Sequence, residues 1–192
     1  VAHGAGKIEF ADGSIYEGNF VSGKKQGSGL MKFKDGSVYE GQYKNDEING
    51  YGIMKFINGA VYEGNHKNGK MHGSGEYFLP EKFTFKGNWV DGAMSGQGKI
   101  DYEDGTSYEG EFKNSEHHGF GTIIYANDLR EAGIWEDGKL IEKQDESSSA
   151  KKSEKVLTQP TQKPSPALKT LLNQIDNIVG GELEPSRADQ LQ

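Results

Sequence analysis

The amino-acid sequence predicts an all-β fold, an elongated single twisted antiparallel sheet made of stacked β-hairpins. Two observations carry this prediction. Short motifs recur every 23 residues from the N-terminus to about residue 140. Glycine contributes 28 of the 192 residues, whereas apolar residues contribute only 33%. This composition favours a thin structure with many turns over a thick two-layer core.

Three motifs share the 23-residue period. Tyr-Glu-Gly starts at Tyr16, Tyr39, Tyr62 and Tyr108, and Phe85 and Glu131 occupy the two remaining first positions. The Gly-x-Gly pairs begin at Gly4, Gly27, Gly50, Gly73, Gly96 and Gly119. Asp-Gly or Asn-Gly pairs begin at Asp12, Asp35, Asn58 and Asp104. Three independent signals with one period predict an array of about six repeats.

Each repeat is predicted to form a β-hairpin with one aromatic face. Counted from its tyrosine, positions 1, 3 and 5 of the first strand share a face, because strand side chains alternate. The two glycines of the Gly-x-Gly pair are expected on the same face of the second strand, followed by apolar positions 16 and 18. The Asp-Gly pairs are expected to form the tight turns. We expect the rings of one repeat to lie over the glycines of the next.

The aromatic face is the predicted partner-binding surface, and a plain hydrophobic core is the alternative interpretation of the same residues. A single-layer sheet does not cover its own face, and partly exposed aromatic rings are typical of binding hot spots. The expected partner is a helix or an extended peptide of another protein. The residues predicted to line this groove are Tyr16, Phe20, Tyr39, Tyr43, Tyr62, Phe85, Trp89, Tyr108, Phe112 and Trp135.

The segments YEGNHKNGKMHGSG (62–75) and YEGEFKNSEHHGFGTIIYANDLR (108–130) resemble the MORN repeat family. The resemblance covers residues 1 to about 140. It departs at LPEKF (79–83) and in the last copy, which lacks Tyr-Glu and is expected to be a terminal cap. The first copy lacks its first strand, so we expect a fragment with further repeats ahead of it.

The resemblance implies a non-enzymatic interaction scaffold, in the cytoplasm and within a cytoskeletal or ciliary assembly such as a radial-spoke head. Two alternatives stay open: a phosphoinositide-binding membrane tether, and a regulatory region of a larger enzyme. The net charge of −7 disfavours the tether and disfavours nucleic acid as a partner. A homodimer is a further alternative.

No catalytic residue, cofactor or metal site is predicted. Equivalent glutamates of adjacent repeats, such as Glu17 and Glu40, would lie ~10 Å apart, which exceeds the spacing of paired catalytic carboxylates. His72 and His118 lie two repeats apart, too far to share a metal ion. His117 and His118 are expected in a surface turn. The chain has no cysteine.

The period stops after residue 140. Residues 141–165 are polar and proline-containing, which predicts a disordered linker. Residues 166–179 are predicted to form an amphipathic helix, and 180–192 a flexible tail. The helix is expected to dock on a partner or on the chain's own array, so its deletion should weaken binding or loosen the array. Its apolar stripe is Leu168, Leu171, Leu172, Ile175, Ile178 and Val179.

Overall fold

A computed structural model describes residues 1–144, and every regular element within them is a β-strand. The strands are β1 (Gly4–Glu9), β2 (Ile15–Val21), β3 (Lys24–Lys32), β4 (Val38–Lys44), β5 (Glu47–Lys55), β6 (Val61–Lys67), β7 (Lys70–Leu79), β8 (Phe83–Val90), β9 (Ala93–Tyr102), β10 (Ser107–Lys113), β11 (Glu116–Ile124), β12 (Arg130–Glu136) and β13 (Lys139–Lys143). They form one antiparallel sheet whose spatial order is the chain order. The predicted all-β single sheet is confirmed.

The limits of the array differ slightly from the prediction. β13 continues to Lys143, so the first residues assigned to the linker belong to the sheet. The remainder of the predicted linker, the helix with its stripe from Leu168 to Val179, and the tail lie outside the described residues. Within residues 1–144 no helix is long and apolar enough to cross a membrane.

The tightest turns join each even-numbered strand to the next odd-numbered strand. Both residues of each turn have positive φ, the geometry of a type I′ hairpin turn. The six turns are Ser22-Gly23, Asn45-Asp46, Asn68-Gly69, Asp91-Gly92, Asn114-Ser115 and Asp137-Gly138. The Asp-Gly pairs form a second set of turns, as expected. In Phe10–Ser14 the Gly13 N–H donates to the Phe10 carbonyl at 2.9 Å, Gly13 has φ +88°, and Asp12 Oδ1 accepts a hydrogen bond from the Ser14 N–H at 2.9 Å.

From Gly27 onward, the first glycine of each Gly-x-Gly pair marks a β-bulge. The β2–β3 register shifts between Gly18 and Phe20, so that Asn19 faces three residues of β3. Gly27 lies in this bulge with φ +70°, and an added Cβ would meet no heavy atom closer than 3.9 Å. The first glycine therefore supplies a backbone conformation rather than space for a ring. This corrects the expectation that both glycines of the pair are sites for rings.

Candidate functional site

The rings at positions 1 and 5 form one continuous ladder along the aromatic face. Each consecutive pair makes an edge-to-face contact, with ring centroids 5.0–5.5 Å apart. In spatial order the rings belong to Phe20, Tyr16, Tyr43, Tyr39, His66, Tyr62, Trp89, Phe85, Phe112, Tyr108 and Trp135. Such contacts add about 0.5–1.5 kcal/mol each beyond the burial of the rings. The ladder therefore stabilises each junction between repeats.

The ring at position 1 lies over two glycines that pair across its own hairpin. An added Cβ at Gly29 would stand 2.6 Å from Tyr16 Cζ, and one at Gly18 2.7 Å from the same atom. The Tyr16 hydroxyl then donates to the Asn19 carbonyl at 3.1 Å, beside the bulge. Tyr39, Tyr62 and Tyr108 donate to the equivalent carbonyls of their own strands.

The expected ring-over-glycine packing is present, but the tyrosine covers its own repeat rather than the next. The position-5 rings are the ones that reach across a repeat boundary. Trp89 Nε1 donates to the Gly75 carbonyl at 3.4 Å, and Trp135 Nε1 donates to the Gly121 carbonyl at 3.1 Å.

The ten side chains predicted to line the groove are buried. Their exposed fractions run from 0% to 6%, so the expectation of partly exposed rings is wrong and the core interpretation holds for Tyr16, Phe20, Tyr39, Tyr43, Tyr62, Phe85, Trp89, Tyr108, Phe112 and Trp135. The ladder is covered by partly exposed apolar side chains that pack against it, which we call the second tier. On the aromatic face, the rings that a partner can reach belong to this second tier.

Four partly exposed rings of the second tier adjoin one another in the middle of the array. Tyr77 lies 6.3 Å from Phe56 and 5.9 Å from Phe83, and Phe83 lies 6.3 Å from Tyr102, all between ring centroids. We call Phe56, Tyr77, Phe83 and Tyr102 the central ring patch. Tyr77 also contacts the buried Trp89 at 5.9 Å, so the patch rests directly on the ladder.

The patch exists because one repeat departs from the common pattern. Phe83 occupies position 22, where the other repeats carry Ser14, Ser37, Ala60, Thr106 or Leu129. Leu79 pairs with Phe83, as positions 18 and 22 do in the other repeats, and the β7–β8 hairpin closes through Pro80–Lys82 with Glu81 at φ +56°. Phe83 then pairs with Tyr102 across β8 and β9. The LPEKF segment, a departure in sequence, adds a ring to the surface.

The polar groups of the patch itself, and the histidine beside it, are uncharged at neutral pH. Burial raises the pKa of the Tyr77 and Tyr102 phenols, so both stay protonated at neutral pH. His117 Nε2 lies 3.3 Å from the Tyr102 hydroxyl, and burial lowers the pKa of His117. The rings thus present uncharged faces to solvent.

The patch adjoins two loops that are rich in carboxylates. Glu81 and Lys82 precede Phe83, and Glu103 and Asp104 follow Tyr102, all of them exposed. The Glu103 N–H donates to the Lys82 carbonyl at 2.9 Å, which holds the two loops side by side. Asp104 Oδ1 accepts from the Thr106 N–H at 2.8 Å. Three carboxylates and one ammonium therefore border the rings.

The histidines do not form a metal site. No group of three or more His, Asp or Glu side chains in residues 1–144 is arranged to hold a metal ion. His117 and His118 lie in β11 rather than in a turn, and the His117 ring stacks on Tyr108 with centroids 3.7 Å apart. Packing accounts for His117, which the sequence placed at the surface.

Sequence reasoning missed the central ring patch although signals for it were present. Phe56, Tyr77 and Tyr102 belong to the apolar columns at positions 16 and 18, which the sequence places on the aromatic face. The phenylalanine at position 22 departs from a column of small residues and Leu129. Its contacts with Tyr77 and Tyr102 depend on the pairing of β8 with β7 and β9, which the sequence does not indicate without the strand register.

The fold and ladder define a β-hairpin repeat array in which each of the five units that begin at Tyr16, Tyr39, Tyr62, Phe85 and Tyr108 contributes two strands and a ring over paired glycines. The chain belongs to the MORN repeat family. The family pattern, described as MORN repeat, matches residues 1–15, 16–38, 39–61, 62–81, 85–107 and 108–130.

No curated protein matches the chain. Two solved structures show a weak likeness. The SAS-4 (dCPAP) TCP domain of Drosophila melanogaster, in complex with a proline-rich motif of Ana2 (dSTIL), is 15% identical with a TM-score of 0.32, over 68% of this chain and 90% of that one. The TCP10 domain of Danio rerio CPAP, in complex with a peptide of Danio rerio STIL, is 13% identical with a TM-score of 0.22, over 70% and 81%. Neither likeness carries a partner over to this chain.

Proposed function

We propose that the protein is a non-enzymatic interaction scaffold that holds a helix or extended peptide of a partner on the central ring patch. The observation that carries the proposal is a set of partly exposed rings supported by a fully buried ring ladder. Aromatic side chains that are partly exposed and held rigid are the residues that contribute most to protein interfaces. The ten residues first assigned to the groove support these rings from beneath.

A rigid support matters because binding is opposed by the entropy lost when side chains become ordered. Tyr77 packs on Trp89, and Phe83 pairs with Tyr102 between two central strands. The rings are therefore held in place before a partner arrives. Each docked ring then needs little further ordering, which favours affinity.

The direct test replaces Phe83 with serine. Two other repeats carry serine at the same position, Ser14 and Ser37. The array should still fold, because the other repeats form hairpins with that residue. Affinity for a partner captured by the intact chain should fall about tenfold or more, as expected for an interface hot spot. Titration calorimetry with the purified partner would measure the change.

The matched control is Leu129→Ser, which removes an apolar side chain from position 22 of a later repeat. Leu129 is 63% exposed and belongs to none of the four rings. Its replacement should leave affinity within about twofold, since exposed side chains outside a hot spot contribute little. Equal loss in both variants, or no loss with Phe83→Ser, would exclude the patch as the docking site.

We further propose a ciliary or other cytoskeletal assembly in the cytoplasm as the setting, a proposal to which family membership lends support. Expression of a tagged full chain with imaging of cilia and cytoskeleton would test this setting. Flotation with phosphoinositide liposomes tests the alternative of a membrane tether. Binding that salt abolishes would favour the tether, whereas the acidic chain predicts no flotation.

A further inference from the structure

We propose that the central ring patch and its acidic loops recognise a basic segment, in which an arginine or lysine side chain lies across the rings. The proposal rests on the proposed scaffold function and names the chemistry of the partner. Its occupant is an extended peptide that alternates apolar residues with cationic ones. Two features of the patch point to this choice: the neutral faces of the rings and the charge of the loops beside them.

The rings supply half of the recognition. Aromatic faces carry a partial negative charge and attract a guanidinium or ammonium group within about 6 Å of the ring centre. This chain already contains such an arrangement elsewhere. Lys25 Nζ lies 5.3–5.5 Å from the centroids of Phe10, Tyr16 and Tyr43.

The loops beside the patch supply the negative charge for recognition of a cation. Glu81, Glu103 and Asp104 bring three carboxylates to the rim of the patch, and Lys82 offsets one of them. A cation on the rings would meet these carboxylates at its charged end while its methylene groups contact the rings. An acidic peptide would face the same carboxylates with like charge, so the rim also discriminates against the opposite partner.

The probes are three capped peptides of one length: Ser-Leu-Arg-Gly-Leu-Arg-Ser, and the same sequence with glutamine or with glutamate in place of both arginines. NMR titration of the full chain measures their affinities and locates their contacts. We expect the arginine peptide to bind roughly 5- to 20-fold more tightly than the glutamine peptide, since exposed ion pairs contribute up to about fivefold each. The glutamate peptide should bind most weakly.

Two double variants separate local recognition from general attraction to an acidic protein. Glu81→Gln with Glu103→Gln removes two rim charges and leaves Asp104 in its loop. Glu17→Gln with Glu40→Gln removes two exposed carboxylates from the polar face and changes the net charge equally. The first should reduce the arginine preference to below about threefold, and the second should leave it unchanged.

Three results would overturn the basic-segment proposal. These are equal affinities for the arginine and glutamine peptides, equal losses in the two double variants, and resonance shifts centred away from the four rings. The scaffold proposal can survive the first of these. If Phe83→Ser lowers the affinity for both the arginine and the glutamine peptides, the patch binds apolar segments. Only the positive charge assigned to the partner is then wrong.

Discussion

The two glycines of one Gly-x-Gly pair should respond differently to alanine. Gly75 lies beneath the Tyr62 ring, where an added Cβ would stand 2.5 Å from Tyr62 Cζ. Carbon atoms pack best at about 3.5–4.0 Å, so the ring must move by about 1 Å or more. Gly73 lies in the bulge at φ +69°, and the nearest atom to its Cβ is Asn65 Cβ at 3.6 Å. Only its backbone conformation opposes a side chain.

The structure sets the expected magnitudes. Overpacking at Gly75→Ala should cost about 1–3 kcal/mol, and moving Tyr62 also weakens its 2.8 Å hydrogen bond to the Asn65 carbonyl, about 1 kcal/mol more. The total is about 3 kcal/mol. Gly73→Ala should cost about 1–2 kcal/mol, the penalty for a side chain in the left-handed region. The two variants have the same composition and differ only in which of the two glycines is replaced by alanine.

Urea denaturation followed by tryptophan fluorescence measures both changes, because Trp89 Nε1 donates to the Gly75 carbonyl. With a slope near 2 kcal/mol/M, the midpoint should fall by about 1.5 M for Gly75→Ala and by less than about 1 M for Gly73→Ala. The double variant Gly75→Ala with Tyr62→Leu should lose less than the sum of its single variants. An equal loss for the two glycines, or additivity in the double variant, would refute the ring-over-glycine account.

Three further predictions concern the same framework. Burial lowers the pKa of His66, so the array should lose stability as the pH falls below the ordinary value of about 6.5 and towards the lower folded-state pKa; His66→Phe should reduce that slope in urea titrations from pH 7 to 5. Phe85→Tyr should stabilise the array by about 1 kcal/mol in the same assay, because a hydroxyl there could donate to the Asn88 carbonyl as Tyr62 does to Asn65. Ser22→Asn should raise the thermal midpoint, because Asn-Gly suits the type I′ turn at φ +52° better than Ser-Gly, and an unchanged midpoint would count against the assigned turn.

The sequence was sufficient for the sheet and for the ladder. The 23-residue period and strand alternation place Tyr62 and His66 on one face, where the structure finds them in contact. It was insufficient to predict the separate roles of the two glycines in each pair, because strand alternation alone assigns Gly73 and Gly75 to the same face and the same role. Only the register shift between Gly64 and His66 reveals that Gly73 belongs to a bulge.

The two-residue turns were missed for a different reason. Asn68-Gly69 and Asp91-Gly92 are as strong a hairpin signal as Asp12-Gly13. Two turn signals compete within each repeat, and both are correct as turns. Which one is tight follows from the number of residues left unpaired between strands, and this depends on how far each strand extends. The sequence indicates the turn residues without fixing that length.

Departures from a repeat column show where recognition can reside in such an array, because the shared residues are needed for stacking. His66 departs from an aromatic column but is 5% exposed, so a partner cannot reach it. Lys25 departs from a column that includes Ile48, yet its ammonium already has three rings as neighbours. Phe83 is the departure that adds a partly exposed ring to others already at the surface. A contact that distinguishes this protein from a uniform array is therefore expected at Phe83.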